Sequence, residues 1–293
     1  MQIKFWGVRG SIPSPGPNTV RYGGNTTCIE IRAGNELIIL DGGTGIFPLS
    51  QTLFPELPRH MHIFITHSHW DHIQGLPFFV PIFIPGNDIH LYGASDPVTQ
   101  QGVEHLYHVQ LQYSYFPIRE AELNANMHYQ SLSPGEVVQV GDVIITCVLM
   151  NHPVTNLGYR VEYQGKSVFF TGDHEPPYNL CEQGEEDWAI YEGLIQQKIQ
   201  DIDAVMQGVD VLIADASYTS EEYAQKQGWG HGTYETCIAM AKRVGAKALY
   251  CTHHEPTRSD AMLEKVFDEA MASCSLDINF RVQLAKEGLT IQI

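Results

Sequence analysis

Thr66-His67-Ser68-His69-Trp70-Asp71-His72 closes the short apolar stretch His62 to Thr66, so its polar side chains sit where a β-strand ends. Imidazole and carboxylate together suit borderline divalent metals such as zinc. Four such groups fall within six residues, His67, His69, Asp71 and His72. They cannot all reach one ion without strain, whereas alternate residues on a sharp loop face two points a few ångströms apart. The run therefore points to a dinuclear metal site, with an exposed histidine-rich turn as the competing reading.

Working outward, the chain before this run reads as strands joined by Gly-rich turns: Ile3 to Trp6, Cys28 to Arg32 and Leu37 to Leu40. Residues 97–130 have no clean period and carry Tyr107, Tyr113, Tyr115 and Phe116, which suggests an insertion that caps the site. A second strand set follows at Val137 to Val140, Val143 to Met150, Gly158 to Tyr163 and Ser167 to Phe170, with Gly141-Asp142 and Gln164-Gly165 suited to hairpins. Trp188, Tyr191, Ile195, Ile199, Ile202 and Met206 recur at helical spacing and predict an amphipathic helix over 185–206. A strand at Val211 to Ala214, a helix from Tyr234 to Val244 ended by Gly245, a strand at Ala248 to Cys251 and a helix from Asp260 to Met271, capped by Asp260, complete the pattern. Phe78-Phe79-Val80-Pro81-Ile82-Phe83 reads as core packing before interface or pocket wall. Strands first, with helices interleaved and concentrated later, give an α/β (α+β) chain of sheets between helices.

The length of 293 residues suits one large layered domain, read as residues 1–293 with insertions at about 97–130 and 176–207. With 34 Asp plus Glu against 17 Lys plus Arg, the net charge of −17 repels a long polyphosphate unless cations or a basic patch reverse the field. Two divalent cations would offset about four of those charges. A small substrate fits this balance better than a duplex. The six scattered cysteines form no Cys-x-x-Cys pair, and neither a signal peptide nor a long apolar span is visible, so we read a reduced, cytoplasmic protein without a membrane partner.

His67-Ser68-His69-Trp70-Asp71-His72 resembles the His-x-His-x-Asp-His signature of the metallo-β-lactamase superfamily, whose fold is a four-layer αββα sandwich. Asn151-His152-Pro153, Phe170-Thr171-Gly172-Asp173-His174 and Cys251-Thr252-His253-His254 are similar to its remaining ligand motifs, in order, over nearly the whole chain. The resemblance implies that His67, His69 and His152 hold one metal and that Asp71, His72 and His253 hold a second, with Asp173 bridging. His253 is favoured over His254 because it follows the strand directly, and His174 is left open between ligation and a structural or substrate-facing role. Asp41, in Asp41-Gly42-Gly43-Thr44-Gly45, resembles the family aspartate that steadies the histidine loop, with glycines allowing close approach. His60, His62, His90, His105, His108 and His128 have no motif context and read as ordinary polar residues.

The superfamily spans lactamases, thioesterases, redox enzymes and nucleases, so other residues must select the reaction. Gly230-His231-Gly232-Thr233 resembles the His-x-Thr motif of the phosphodiesterase branch that includes tRNase Z, and Asp215 stands where that branch places the acidic partner of its histidine. The resemblance implies hydrolysis by a metal-bound hydroxide oriented by Asp71, with His231, kept basic by Asp215, protonating the leaving oxygen. A surface histidine flanking a helix is the alternative for His231. The segments Phe5 to Pro13 and Tyr22 to Cys28, with Tyr115-Phe116-Pro117 and His253-His254-Glu255-Pro256, further resemble bacterial cyclic-nucleotide and cyclic-phosphate phosphodiesterases. Arg9, or Arg21, becomes a candidate phosphate contact, against the alternative of an arginine that orders a turn.

No long basic Gly/Pro-rich arm of the tRNase Z kind is present in the sequence, and the charge is acidic. The expectation is a two-metal phosphodiesterase acting on a small cyclic nucleotide or cyclic phosphate, not on DNA. Its metals are expected to be zinc, manganese or iron, and a homodimer is expected by resemblance. A tRNase Z-like RNA 3′-processing endonuclease and a metal-dependent nucleotide-binding protein without hydrolysis are the alternatives.

Overall fold

A computed structural model describes residues 1–274 and 278–293. The first sheet has seven strands in the order β14-β1-β2-β3-β4-β5-β6. Its antiparallel part is β14 (Thr290–Gln292), β1 (Gln2–Gly7), β2 (Cys28–Ala33) and β3 (Glu36–Leu40), and β4 (His60–Phe64), β5 (Asp88–Ala94) and β6 (Asn126–Leu132) continue it parallel to β3. The second sheet has the order β13-β12-β11-β10-β9-β8-β7. Here β7 (Val137–Val140), β8 (Val143–Leu149), β9 (Leu157–Tyr163) and β10 (Lys166–Phe170) are antiparallel neighbours, and β11 (Val211–Asp215), β12 (Ala248–Thr252) and β13 (Arg281–Leu284) run parallel to β10.

Period-two patterning places the core between the sheets. Ile3 and Phe5 on β1, Ile29 and Ile31 on β2, and Val161, Val168 and Phe170 from the second sheet pack in one buried cluster. Val211-Leu212-Ile213-Ala214 is buried on both faces, as a central parallel strand requires. Two outer clusters lie under the helices. The second sheet packs against α4 (Trp188–Met206), α6 (Tyr234–Val244) and α7 (Asp260–Ser273), while α1 (Ile46–Thr52) and α3 (Val103–Gln110) cover the first. Two short helices, α2 (Trp70–Ile73) and α5 (Ser220–Lys226), stand near the rim. The result is the four-layer αββα sandwich.

Several expectations change in detail. The segment 97–130 contains α3 and ends inside β6, whose residues pair in register with β5, so its end is sheet edge; β6 alternates polar with half-buried positions and has no apolar run to reveal it. β5, β13 and β14 are further strands that periodicity left out. Ser259, not Asp260, caps α7: its hydroxyl accepts from the Met262 amide at 3.2 Å, while Asp260 turns inward. The apolar stripe of α4 is buried only toward its C-terminal end at Ile202 and Met206, and Ile190, Tyr191 and Leu194 are exposed. Phe79 and Ile82 are core residues, as expected, and Phe78 is exposed. No helix among the described residues is long and apolar enough to cross a membrane.

Candidate metal centre

Because β3 and β4 are parallel in one sheet and β10, β11 and β12 are parallel in the other, their C-terminal ends open on one rim. Asp41 follows β3, the run 66–72 follows β4, Asp173 follows β10, Asp215 ends β11 and His253 follows β12. His152 arrives from the loop between β8 and β9. Six segments far apart in sequence thus converge.

His67, His69, His152 and Asp173 form one group whose ligand atoms all lie within 4.8 Å of one another, and Asp71, His72, Asp173 and His253 form a second. Asp173 divides its oxygens between them. Its Oδ2 lies 3.4 Å from His67 Nε2 and 3.9 Å from His152 Nε2, while Oδ1 lies 3.0 Å from His72 Nε2 and 3.1 Å from His253 Nε2. Tetrahedral coordination with bonds of about 2.0–2.1 Å spaces ligand atoms about 3.3 Å apart, close to these separations. His67 Nε2, His72 Nε2 and Asp173 Oδ1 are buried and form no hydrogen bond. Such atoms are costly in a folded protein unless a cation satisfies them, so the donor set fits divalent metal.

The far nitrogens of His67, His72, His152 and His253 are fixed by the protein, which turns the near ones inward. His72 Nδ1 donates to Asp41 Oδ2 at 2.6 Å, and the Thr66 amide and hydroxyl donate to Asp41 at 2.7 and 2.9 Å. Asp41 thereby ties the end of β3 to the histidine loop. A Cβ on Gly43 would stand 2.3 Å from the Asp71 carbonyl oxygen, so only glycine permits this approach. His67 Nδ1 pairs with the Thr66 hydroxyl at 3.1 Å, and His152 Nδ1 donates to the Gly230 carbonyl at 2.9 Å. His253 Nδ1 meets the Ser217 hydroxyl at 2.8 Å.

Burial opposes charge throughout the cluster, but the carboxylates outweigh it at several groups. Asp173, Asp215 and Asp71 push His253 up to about 9 despite its burial, and Asp173, Asp71 and Asp41 raise His72 likewise. Burial and the neighbouring His72 take His67 down to about 3. Asp71 and Asp173, buried among imidazoles, are held below the usual carboxylate range. The negative field attracts cations, protons or metals alike.

His231 stands beside the second group, its ring 4.7 Å from that of His253 and its Nδ1 2.8 Å from Asp215 Oδ2. Burial works against its protonation, but Asp215 and Asp173 raise its pKa above the ordinary imidazole value. Asp215 itself is braced by the His174 amide at 3.1 Å and the Ser217 hydroxyl at 2.7 Å.

Sequence reasoning left four residues open, and the fold places them. His254 points away, Nε2 on the Ala285 carbonyl at 2.8 Å, and burial pushes it down to about 3. His174 is buried outside both groups, its Nδ1 accepting the Asn151 amide at 3.2 Å. Arg9, a candidate phosphate contact, is fully buried: Nε donates to the Gly23 carbonyl at 2.8 Å, Nη1 to that of Arg258 at 2.9 Å, and Nη2 reaches Asp260 at 3.4 Å. Its donors are spent joining the N-terminal loop to the start of α7, the turn-ordering alternative. Arg21 is exposed and paired with Glu264 at 2.6 Å.

Glu175 was missed altogether. Its buried carboxylate accepts the Gly228 and Gly230 amides at 2.8 and 2.9 Å and the Tyr223 hydroxyl at 2.6 Å, holding the loop that delivers His231. Ser217 was missed for the same reason: its role depends on which strand ends become neighbours.

The beta-lactamase superfamily domain model matches residues 37–254, and the chain belongs to the metallo-β-lactamase superfamily. Its similarity runs to the branch of that superfamily that holds ribonuclease Z and phosphodiesterases. A Ribonuclease Z of Acaryochloris marina (strain MBIC 11017) is 25% identical, with 93% of this chain and 92% of that protein covered. A Ribonuclease BN of Cronobacter sakazakii (strain ATCC BAA-894) is 24% identical over the full length of both. In fold, the metallo-beta-lactamase fold protein YhfI from Bacillus subtilis superposes with a TM-score of 0.69 at 18% identity, covering 99% of this chain and 98% of its own. Unliganded yeast PDE1 superposes with a TM-score of 0.67 at 16% identity, covering 100% and 99%.

Proposed function

We propose that this protein is a dinuclear-metal phosphodiesterase whose substrate is a small cyclic phosphodiester, a cyclic nucleotide foremost. The observation that carries the reaction class is the His231–Asp215 pair at 2.8 Å, set beside a donor set for two cations. Phosphodiester hydrolysis needs an activated water, charge stabilisation and a proton for the leaving oxygen. Divalent cations, zinc first and manganese or iron next, would supply the first two when held by His67, His69, His152 and Asp173 and by Asp71, His72, His253 and the shared Asp173.

The chain's own groups do the rest. Asp215 occupies His231 Nδ1 and leaves Nε2 as the nitrogen that meets substrate. Asp215 and Asp173 raise the pKa of the ring, which favours a proton there for delivery to the departing alkoxide. Asp71, which also accepts the Ser11 amide at 2.7 Å, orients the attacking water. Glu175 and the Ser217 hydroxyl hold the loop and the carboxylate on which the proton donor depends.

The preference for a small substrate is supported by the net charge of −17 and by a cavity of about 490 Å³ beside His67, lined also by Trp70, Thr99, His105, Val109 and Pro153. That volume lies in the range of sites for compact organic ligands. Residues from 97 to 110 form one wall of it, which supports the capping role expected of that segment. RNA 3′-end processing is the second reading, favoured by the ribonuclease names of the curated relatives.

A homodimer is proposed as well. The exposed Ile190, Tyr191 and Leu194, within one turn of α4, are apolar surface of the kind a second copy would cover.

One experiment separates the readings: metal-loaded protein is offered a panel of cyclic nucleotides and a precursor tRNA over a range of salt. Chelator-sensitive opening of a cyclic nucleotide supports the proposal. Cleavage of the precursor with a steep salt dependence and no cyclic-nucleotide turnover transfers the site to RNA processing. Recovery of an intact nucleotide with no turnover of either would leave a binding protein.

A further inference from the structure

The second concentration of histidines lies at the opposite end of the first sheet, about 20 Å along β4 from His67. Parallel pairing in register sets His60 of β4 beside Asp88 of β5, and lines up His62 of β4, His90 of β5 and His128 of β6. The last three rings stack, His62 to His90 at 4.9 Å and His90 to His128 at 4.4 Å. Burial and the neighbouring rings take His62 down to about 4 and lower His90 as well, which favours the neutral imidazole with its free lone pair.

Asp88 sits at the centre. His60 Nδ1 lies 3.4 Å from its Oδ2, and His90 Nε2 lies 3.4 Å from its Oδ1. Each separation, one to either carboxylate oxygen, is close to the donor spacing of about 3.3 Å around an ion with bonds of about 2.0–2.1 Å. The ligand atoms of His60, Asp88 and His90 all fall within 4.8 Å of one another. Asp88 Oδ1 is buried and forms no hydrogen bond, although His128 Nε2 approaches it to 2.7 Å. An acceptor ringed by imidazole nitrogens without an aligned hydrogen bond is an unsatisfied group of the kind a cation resolves.

We propose that His60, Asp88 and His90, with His128 bracing the carboxylate, bind a transition-metal dication separate from the catalytic centre. The nitrogen-rich donor set selects the zinc, nickel and copper class over magnesium or calcium. The ion joins β4 to β5 through ligands on both strands and, through His128, reaches the edge strand β6. Its effect is therefore on the cohesion of the sheet edge and not on the chemistry at the other rim.

The test uses the full chain with its catalytic metals loaded, titrated with Zn²⁺ while bound metal and the unfolding temperature are followed. Wild type is expected to take up a further equivalent of Zn²⁺, not displaced by Mg²⁺, with a rise in Tm. His60→Ala, at a solvent-exposed side chain, and His90→Gln should each weaken that uptake about 10–100-fold and abolish the Tm rise, with hydrolysis unchanged. No further equivalent in wild type, or equal uptake by wild type and His60→Ala, would overturn the proposal. The exposed position of His60 keeps the comparison valid even if His90→Gln fails to fold.

Discussion

At the scale of single residues, the site depends on groups that each serve two neighbours. Asp173 spans both ligand groups, Asp41 holds a ligand ring and the loop that carries it, and Asp215 holds His231 while Ser217 and the His174 amide hold Asp215. If His231 delivers the proton, His231→Ala should lower kcat on an alkyl phosphodiester about 10²–10⁴-fold. Bound metal should stay unchanged, and a nitrophenyl ester, whose leaving group needs no proton, should lose far less. Equal losses on the two esters would sink the role. Asp41→Asn removes the charge that fixes His72 and should cut metal affinity about 10–100-fold, read as metal retained after dialysis against a weak chelator. These ligand residues were legible because each lies in a compact motif at a strand end. Glu175, Ser217 and the inward turn of Arg9 were not, because the partners that give them their roles include Gly230, His253 and Arg258, each more than thirty residues away.

Among the elements, β11 shows how a central parallel strand is pinned at its start. Asp210 accepts the Ser167 amide at 2.9 Å and Lys247 Nζ at 2.8 Å, joining the starts of β10, β11 and β12. Burial opposes its ionisation, but Lys247 and the Ser167 amide hold its pKa below the ordinary carboxylate value. A depressed carboxylate contributes stability that is present above the unfolded value, about 4, and is lost as pH falls through the folded one. Asp210→Asn should therefore cost about 1 kcal/mol at neutral pH. The difference from wild type should shrink below pH of about 4, as measured by denaturant unfolding across pH.

Most elements could be read from period and turn chemistry. The hairpin of Gln164-Gly165 has both residues at positive φ, and Gly245 ends α6 in the left-handed conformation, which the two glycines adopt readily. The strands that escaped notice, β6 and β14 above all, lie at sheet edges, where one side meets solvent and the apolar alternation thins out.

For the molecule as a whole, the ligands come from strand ends of both sheets, so bound metal would fasten one sheet to the other. Chelation is expected to lower Tm by several degrees in a single cooperative transition, as one domain over residues 1–293 requires. Two separated transitions in calorimetry would speak against the single domain. Leu194→Glu, on the exposed face of α4, should halve the particle mass seen by light scattering with turnover retained if that face joins two copies. By itself, the sequence determined the fold family, the order of most strands and most of the candidate metal-ligand set, because periodicity and short motifs are local properties of a chain. Only the tertiary structure decided that His253 and not His254 faces the cluster and that Arg9 is a strut. It alone showed that six scattered histidines include a second gathering around Asp88. Each of those depends on strand register and on which distant ends share a rim, and neither is written in any local stretch of residues.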